Sequence, residues 1–458
     1  VSITNPNRLF PLDERTRELA RELHAIVEHL PIISPHGHVD PQMLRDNHPF
    51  PNPSELLIRH DHYVTRLLHA TGSDLGLLLN ESNPRAVWAE LVNKWNVFAG
   101  TASGYWLQQE FEALFGIQDI AAMSPDSSYN LISAALGRPE MRPQALLDRF
   151  GIEVLATTDD PLSDLAPHSA LSSGTGTRIL PTFRADAYID PSNPNFLSSV
   201  RALADHSGDP LDDYSGYLAA LEERRDYFKR HGAVSADHGV RSPRTLALDP
   251  DTAAALYSRA VRDDLDEREK DVFGAHMLLQ MAGMSSRDGL VMTVHAGVYR
   301  NHHSDTWRTH GPDTGHDIPV PTSFTENLRP LLEAYGLTPG FHLILFTVDE
   351  TTLSREIAPL AGFYPSVFIG APWWFLDAPD SAARFRASTV ETAGFYRGSG
   401  FIDDTRAFLS IPARHDMARR GDAAFLARLV GEGRLSKKAA EQIVVDVVDR
   451  LPRVAFKL

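Results

Sequence analysis

The run Pro31-Ile32-Ile33-Ser34-Pro35-His36-Gly37-His38 is a short apolar segment that breaks off abruptly into two histidines. An apolar run of this length reads as a buried strand, and His36 and His38, two positions apart on an extended chain, then point to one face. Two imidazoles converging in this way can share a single cation. A His-x-His pair by itself says little; its place at the end of a strand gives it weight.

Similar segments recur. Residues 151–158 (GIEVLATT) end in Asp159 and Asp160, residues 178–183 in Arg184, and residues 233–236 in Asp237 and His238. Residues 290–294 end in His295, residues 342–346 in Thr347, residues 366–370 lead to Trp373 and Trp374, and residues 400–402 end in Asp403 and Asp404. Helical periodicity lies between most of them, at 272–281, 324–335, 381–395 and 437–451, and precedes the first over 12–30, where Pro31 stops it. Eight apolar segments alternating with helices predict an α/β fold, a parallel sheet closed into a (β/α)8 TIM-type barrel with each strand's polar residue at one mouth. The alternative, an open doubly wound sheet, is marked by a Gly-rich dinucleotide fingerprint after the first strand, and the sequence has none there.

Residues 44–150 hold helical patterns, among them 85–95 and 105–115, and no convincing strand. The chain therefore divides into residues 1–43 (N-terminal helix and first strand), 44–150 (a large helical insertion after strand one) and 151–458 (the rest of the barrel with a C-terminal helix). Residues 172–177 (SSGTGT) read as a flexible loop.

Composition sets limits. At 458 residues and 43% hydrophobic, the chain can bury a large core. It has no cysteine, so any metal site is built from His, Asp or Glu. A net charge of -16 argues against a nucleic-acid partner, and an anionic ligand would need arginines that reverse the field locally. No apolar run reaches the roughly 18 residues of a membrane span, and residues 1–12 lack a basic region followed by an apolar one. The expected location is the cytoplasm.

Strands one and eight are neighbours in a closed barrel, so Asp404 can add a carboxylate to His36 and His38. Arg184 and Arg406 each follow a strand, and their forked donors suit a carboxylate or phosphate; the other reading pairs them structurally with Asp159, Asp186 or Asp403. Asp160-Pro161 reads as an N-cap and first residue of a helix. Asp159 is either a solvated loop acid or a catalytic one, Trp373-Trp374-Phe375 either core or a pocket wall, and His295 taken alone reads as a hydrogen-bonded structural histidine.

Together these segments resemble the uronate isomerase (glucuronate isomerase) family, a divergent branch of the amidohydrolase superfamily. The matching pieces are PIISPHGH from Pro31, DHY from Asp61, TTDDP from Thr157, PTFRAD from Pro181, HAGVYRN from His295, WWFLD from Trp373 and DTRAFLS from Asp404, in the family's order. The resemblance implies interconversion of D-glucuronate with D-fructuronate, and of D-galacturonate with D-tagaturonate. It implies one divalent ion, expected to be zinc, on His36, His38 and Asp404, and no organic cofactor. It gives catalytic roles to Asp404, Tyr63, Arg406 and His295, and substrate contacts to His62, Arg184, Arg300, Arg406 and Trp373. Roles for His62, Tyr63 and Arg300 come from the resemblance alone.

Ser34 departs from the family, which usually carries an acid two residues before the first histidine. Where hydrolases of the superfamily add a strand-four lysine or carboxylate and histidines on strands five and six, this chain has Asp237 with His238, His295 and Thr347, so a dinuclear site is not expected. In the implied chemistry Asp404 or a metal-bound hydroxide takes the C2 proton, and Tyr63 with a neighbouring cation assists at the C1 oxygen. Arg184, Arg406 and His62 hold and neutralise the substrate carboxylate. The partner is a small hexuronate, with neither nucleic acid nor membrane, and a homo-oligomer is compatible with this. The competing readings are a metal-dependent hydrolase of an amide, lactone or ester, and a sugar-acid-binding barrel without activity.

Overall fold

Proline sets the limits of the first strand. In the computed structural model, which describes residues 5–172, 174 and 176–458, β1 (Ile32–Ser34) lies between Pro31 and Pro35. Ser173 and Thr175 of the expected loop lie outside the described residues. The strand was expected to reach the histidines, but it stops at Ser34, because Pro35 has no N–H with which to continue the ladder. His36 and His38 occupy a bend beyond the strand.

β1 pairs in parallel with β2 (Ile152–Ala156), and β2 with β3 (Arg178–Leu180). A second parallel ladder holds β4 (Phe183–Arg184), β5 (Ser235–Val240) and β6 (Val291–Ala296). A short antiparallel pair follows, β7 (Val298–Tyr299) with β8 (Ile318–Pro319), before β9 (Leu343–Thr347) and β10 (Val367–Ile369) complete the second ladder in the order β4-β5-β6-β9-β10. The segment expected as one strand over 178–183 is thus two, split at Pro181, and Arg184 is part of β4.

The two ladders meet through Asp159, whose N–H donates to Thr182 O (3.0 Å) and whose carbonyl accepts from Arg184 N (3.1 Å). The eighth expected strand, 400–402, is not a regular strand. Gly400 at φ +76° and Asp404 at φ +43° turn the chain out of the extended region, and a Cβ on Gly400 would lie 2.5 Å from Pro452 Cδ. The segment still bridges its neighbours: Ser399 N donates to Ile369 O (2.9 Å) and His38 N to Thr405 O (3.0 Å).

Alternation along β6 decides which residues look inward. Met292, Val294 and Ala296 pack with residues of the long helix Glu267–Asp288, whereas Val291 packs with Ile344, Phe346 and Phe368 on the opposite face, which is also the face of His295. Residues 41–149 contain helices and no strand, from Pro41–Asp46 to Pro143–Arg149, and bury Leu44, Trp88, Phe111 and Leu147 in one cluster with Ile32 and Leu155. Among the described residues no helix is long and apolar enough to cross a membrane.

Helix Ile411–Gly431 fixes where β1 begins. Its buried Arg419 donates from Nη1 to the carbonyls of Val27 (3.0 Å) and Glu28 (3.1 Å), at the end of helix Glu14–Val27, and from Nη2 to Pro31 O (3.0 Å). Arg419→Met leaves these carbonyls without donors and should lower the unfolding free energy by about 2–4 kcal/mol in a urea titration. A loss below about 0.5 kcal/mol would mean that other groups hold the junction.

Candidate active site

All ten site residues expected from the sequence line one cavity of about 830 Å³. His36 Nε2 and His38 Nε2 lie 3.3 Å and 3.0 Å from Asp404 Oδ1, so the bend after β1 converges on the irregular eighth segment although the histidines are not on a strand. His295 stacks on His36 with ring centroids 4.6 Å apart and on Phe346 at 4.1 Å. Gly370 makes room for this stack, since a Cβ there would sit 2.5 Å from the Phe346 ring.

Asp237 orients His295. Its Oδ1 lies 2.7 Å from His295 Nδ1 and 2.6 Å from Thr293 Oγ1, both of which donate to it. With Nδ1–H committed to the carboxylate, Nε2 keeps its lone pair, and it is buried without a hydrogen-bond partner. His36, His295 and Asp404 offer ligand atoms within 4.8 Å of one another, the one such cluster among the described residues. Two imidazole nitrogens and a carboxylate oxygen suit a divalent first-row metal, so the donors fit one ion. The structure therefore brings His295, expected to be catalytic, among the donors, beside His38. Ser34 Oγ and His36 Nδ1 are both buried without a hydrogen-bond partner, so Ser34 does not orient this histidine.

The arginines are already engaged. Arg184 Nε donates to Asp186 Oδ2 (2.9 Å) and lies 3.5 Å from Asp237 Oδ2. Arg406 pairs with Asp313 (2.8 Å), outside the acids anticipated for it, and Arg300 pairs with Asp317 (2.9 Å) and lies 5.0 Å over the Trp374 ring. Trp373 meets the edge of His295 at 4.9 Å, as a wall of the cavity. Asp159 does not reach the cavity and instead accepts from Thr157 Oγ1 (2.6 Å) at the ladder junction, where burial pushes its pKa up to about 6. Asp160 caps no helix: it accepts from Leu162 N (2.8 Å) and Tyr188 Oη (2.7 Å), and the next helix starts at Ala166.

Asp61 is the N-cap of helix His62–Ala70, accepting from Tyr63 N at 2.9 Å, and so presents His62 and Tyr63 on its first turn. The cation beside Tyr63 is Arg414, fully buried, 5.4 Å over the phenol ring and 3.6 Å over Trp106, with its charge paired to Asp377 at 2.8 Å. Sequence reading missed Arg414, which sits in a helix without distinguishing pattern, and missed Asp313 and Asp317, in a polar stretch without periodicity. Four non-glycine residues of the cavity wall have left-handed backbones, Asn301 (φ 53°), Asp313 (61°), Trp374 (53°) and Asp404 (43°), each costing about 1–3 kcal/mol where the residue is not suited to it.

Protonation follows from burial and neighbours. Burial pushes the Tyr63 hydroxyl well above its ordinary value, so it is a neutral donor. Burial opposes ionisation of Asp404 and Asp237, but His36 and His38 hold Asp404 well below the usual carboxylate range, and His295, His36 and Arg184 do the same for Asp237. His62 is lowered to about 4 by burial and by Arg406. Its ring is therefore neutral near pH 7, and charge neutralisation falls to the arginines.

The fold and site define an α/β enzyme in which one cavity joins a histidine–carboxylate metal-type centre to several guanidinium groups. A family model described as glucuronate isomerase matches residues 10–451. The chain is 47% identical to a uronate isomerase of Corynebacterium efficiens, over 99% of this chain and 98% of that protein. Its structure is similar to that of a glucuronate isomerase from Caulobacter crescentus (TM-score 0.96, 44% identity, 98% and 96% of the two chains). It is also similar to a uronate isomerase from Thermotoga maritima (TM-score 0.93, 27% identity, all of both chains). The chain belongs to the glucuronate isomerase family and is an isomerase of the aldose–ketose type.

The charge state of His62 is directly measurable. Its ring should stay neutral by NMR down to about pH 4, and Arg406→Met should raise that pKa, because removing a nearby cation favours the imidazolium. A ring protonated at pH 6 in the unmodified protein would contradict this.

Proposed function

We propose that the chain interconverts D-glucuronate with D-fructuronate, and D-galacturonate with D-tagaturonate, by moving a proton from C2 to C1 through an enediolate. The observation that carries this reading is one cavity holding an ionised Asp404, a protonated Tyr63 and several guanidinium groups. Asp404 takes the C2 proton and returns it at C1. Tyr63, with Arg414 behind its ring, donates towards the C1 oxygen as negative charge develops there. Arg184 and Arg406 hold the substrate carboxylate, with Arg300 and neutral His62 as further polar contacts and Trp373 as the wall.

His36, His38, His295 and Asp404 would hold one divalent ion, zinc in this reading, which when bound would supply Lewis-acid polarisation and orientation of substrate oxygens. Asp404 and Asp237 are ionised, as metal binding requires of them, whereas against the effect of its burial the pKa of His36 is raised by Asp237 and Asp404, so ion binding would displace a proton there. We also read the two ladders as a (β/α)8 barrel of the amidohydrolase type, with irregular segment 398–405 as the eighth stave, residues 1–43 leading into it, and residues 44–150 as a helical insertion before residues 151–458. The enzyme would work in the cytoplasm on free sugar acids, alone or as a homo-oligomer.

Incubation with D-glucuronate and with D-galacturonate should yield the ketoses, and prior treatment with a chelator should lower the rate. Absence of ketose from both sugars, with or without added zinc, overturns the reading. In D2O, Asp404→Asn should abolish exchange of the C2 hydrogen; retained exchange would remove Asp404 as the base. Asp237→Asn should weaken zinc affinity about 10–100-fold in a competition titration, because His295 loses the carboxylate that fixes its tautomer.

A further inference from the structure

The cavity is larger than one sugar acid requires. Its volume of about 830 Å³ lies near the top of the range that pockets for drug-sized ligands span, roughly 300–1,000 Å³, and a six-carbon acid is far smaller than such ligands. Beyond Arg300 the same cavity continues outward along the excursion between β6 and β9. There Tyr299 and Trp307 line it while each remains 39% exposed. Large rings left half in water on a cavity wall offer flat apolar faces, the surface on which the C–H face of a pyranose can lie.

Two further features select the ligand. Arg241 stands on the same wall, 4.6 Å over the Tyr299 ring, and it has no carboxylate partner among the described residues. Arg184, Arg300 and Arg406, by contrast, are all paired with aspartates. Asn193 and Asn195 also line the cavity, with Asn193 Oδ1 accepting from Asn195 N (2.9 Å). The outer chamber thus joins aromatic faces and one guanidinium without a carboxylate partner, a combination matched to a second sugar that carries its own carboxylate.

We propose that this outer chamber is a second uronate subsite, and that the enzyme also accepts a disaccharide with its reducing-end hexuronate in the inner chamber. The inference rests on the reading of the inner site as the place of uronate isomerisation. The reducing end must point inward, because C1 and C2 have to reach Tyr63 and Asp404. A glycosidic bond to O4 leaves C1, C2 and the ring-opening C5 hydroxyl free. The reaction is the same internal redox exchange: C2 loses its hydrogen as a proton and becomes the carbonyl, and C1 gains a proton and becomes the alcohol carbon. The O2 hydroxyl proton passes to O1, and the glycosidic bond is untouched.

The test compares D-galacturonate with reducing (1→4)-linked digalacturonate, following ketose formation at the reducing end. Both should be converted, with kcat/KM values within about tenfold of each other. Trp307→Ala and Arg241→Met should each raise KM for the dimer about tenfold and leave KM for the monomer unchanged. Arg241 is exposed, and monomer turnover reports directly that each variant is folded. Monomer conversion without dimer conversion or competitive inhibition by the dimer overturns the subsite and leaves the inner site standing. Dimer conversion indifferent to both variants overturns the assignment to this wall. Failure with both sugars overturns the inner-site reading, and the subsite with it.

Discussion

Two imidazoles and one carboxylate meet across the junction of the first and last stretches of the sheet, at His36, His38 and Asp404, and much of the structure serves to keep them there. None of the three sits in regular secondary structure. Their positions come from outside: His38 N is held by Thr405 O, Gly37 O accepts from Thr158 Oγ1 at 2.9 Å, and Asp404 keeps a left-handed backbone. Burying like and unlike charges this closely is unfavourable unless each is partnered. Asp237 meets this constraint from behind, 2.7 Å from His295 Nδ1 and 3.5 Å from Arg184 Nε.

The layer behind Tyr63 obeys the same constraint. Arg414 is a full charge with almost no access to water, and it is tolerated because Asp377, the Asp403 carbonyl (3.4 Å) and Ser410 Oγ (2.9 Å) surround it. Asp403 in turn meets His415 Nε2 at 3.1 Å. Residues 403 and 404 therefore face opposite ways, one into the supporting network and one into the cavity, and helix Ile411–Gly431 serves both the phenol and the carboxylate. Through Arg419 the same helix also sets where β1 starts.

The strand order and mouth residues were legible because parallel strands buried on both faces leave a plain apolar signature that ends where solvent or chemistry begins. Arg184 and Asp404 were singled out by that signature, and His36 and His38 by it together with their spacing, whereas His295 at its strand end read as a structural histidine until the resemblance gave it a role. The resemblance added His62, Tyr63 and Arg300, whose own neighbourhoods carry no periodic signal. Strand boundaries were misjudged where proline or a left-handed residue intervened, at Pro35, Pro181 and Gly400, because hydrophobicity does not report backbone φ. The ionic partners Asp313, Asp317, Asp377 and Arg414 were not legible. Which acid meets which arginine is decided by loop paths in space, and residue type alone does not encode them.

The pairing of Arg406 with Asp313 bears on how an anion enters a chain of charge -16. Asp313 already occupies the arginine as an internal carboxylate, so Arg406 is not an empty cationic socket, and in the reading proposed above a sugar acid would replace one carboxylate there by another. Asp313 belongs to the stretch between β7 and β8 that carries Trp307 as well. One stretch of chain therefore supplies both the counter-charge of the inner arginine and an aromatic face of the outer wall, so the two ends of the cavity share a single support.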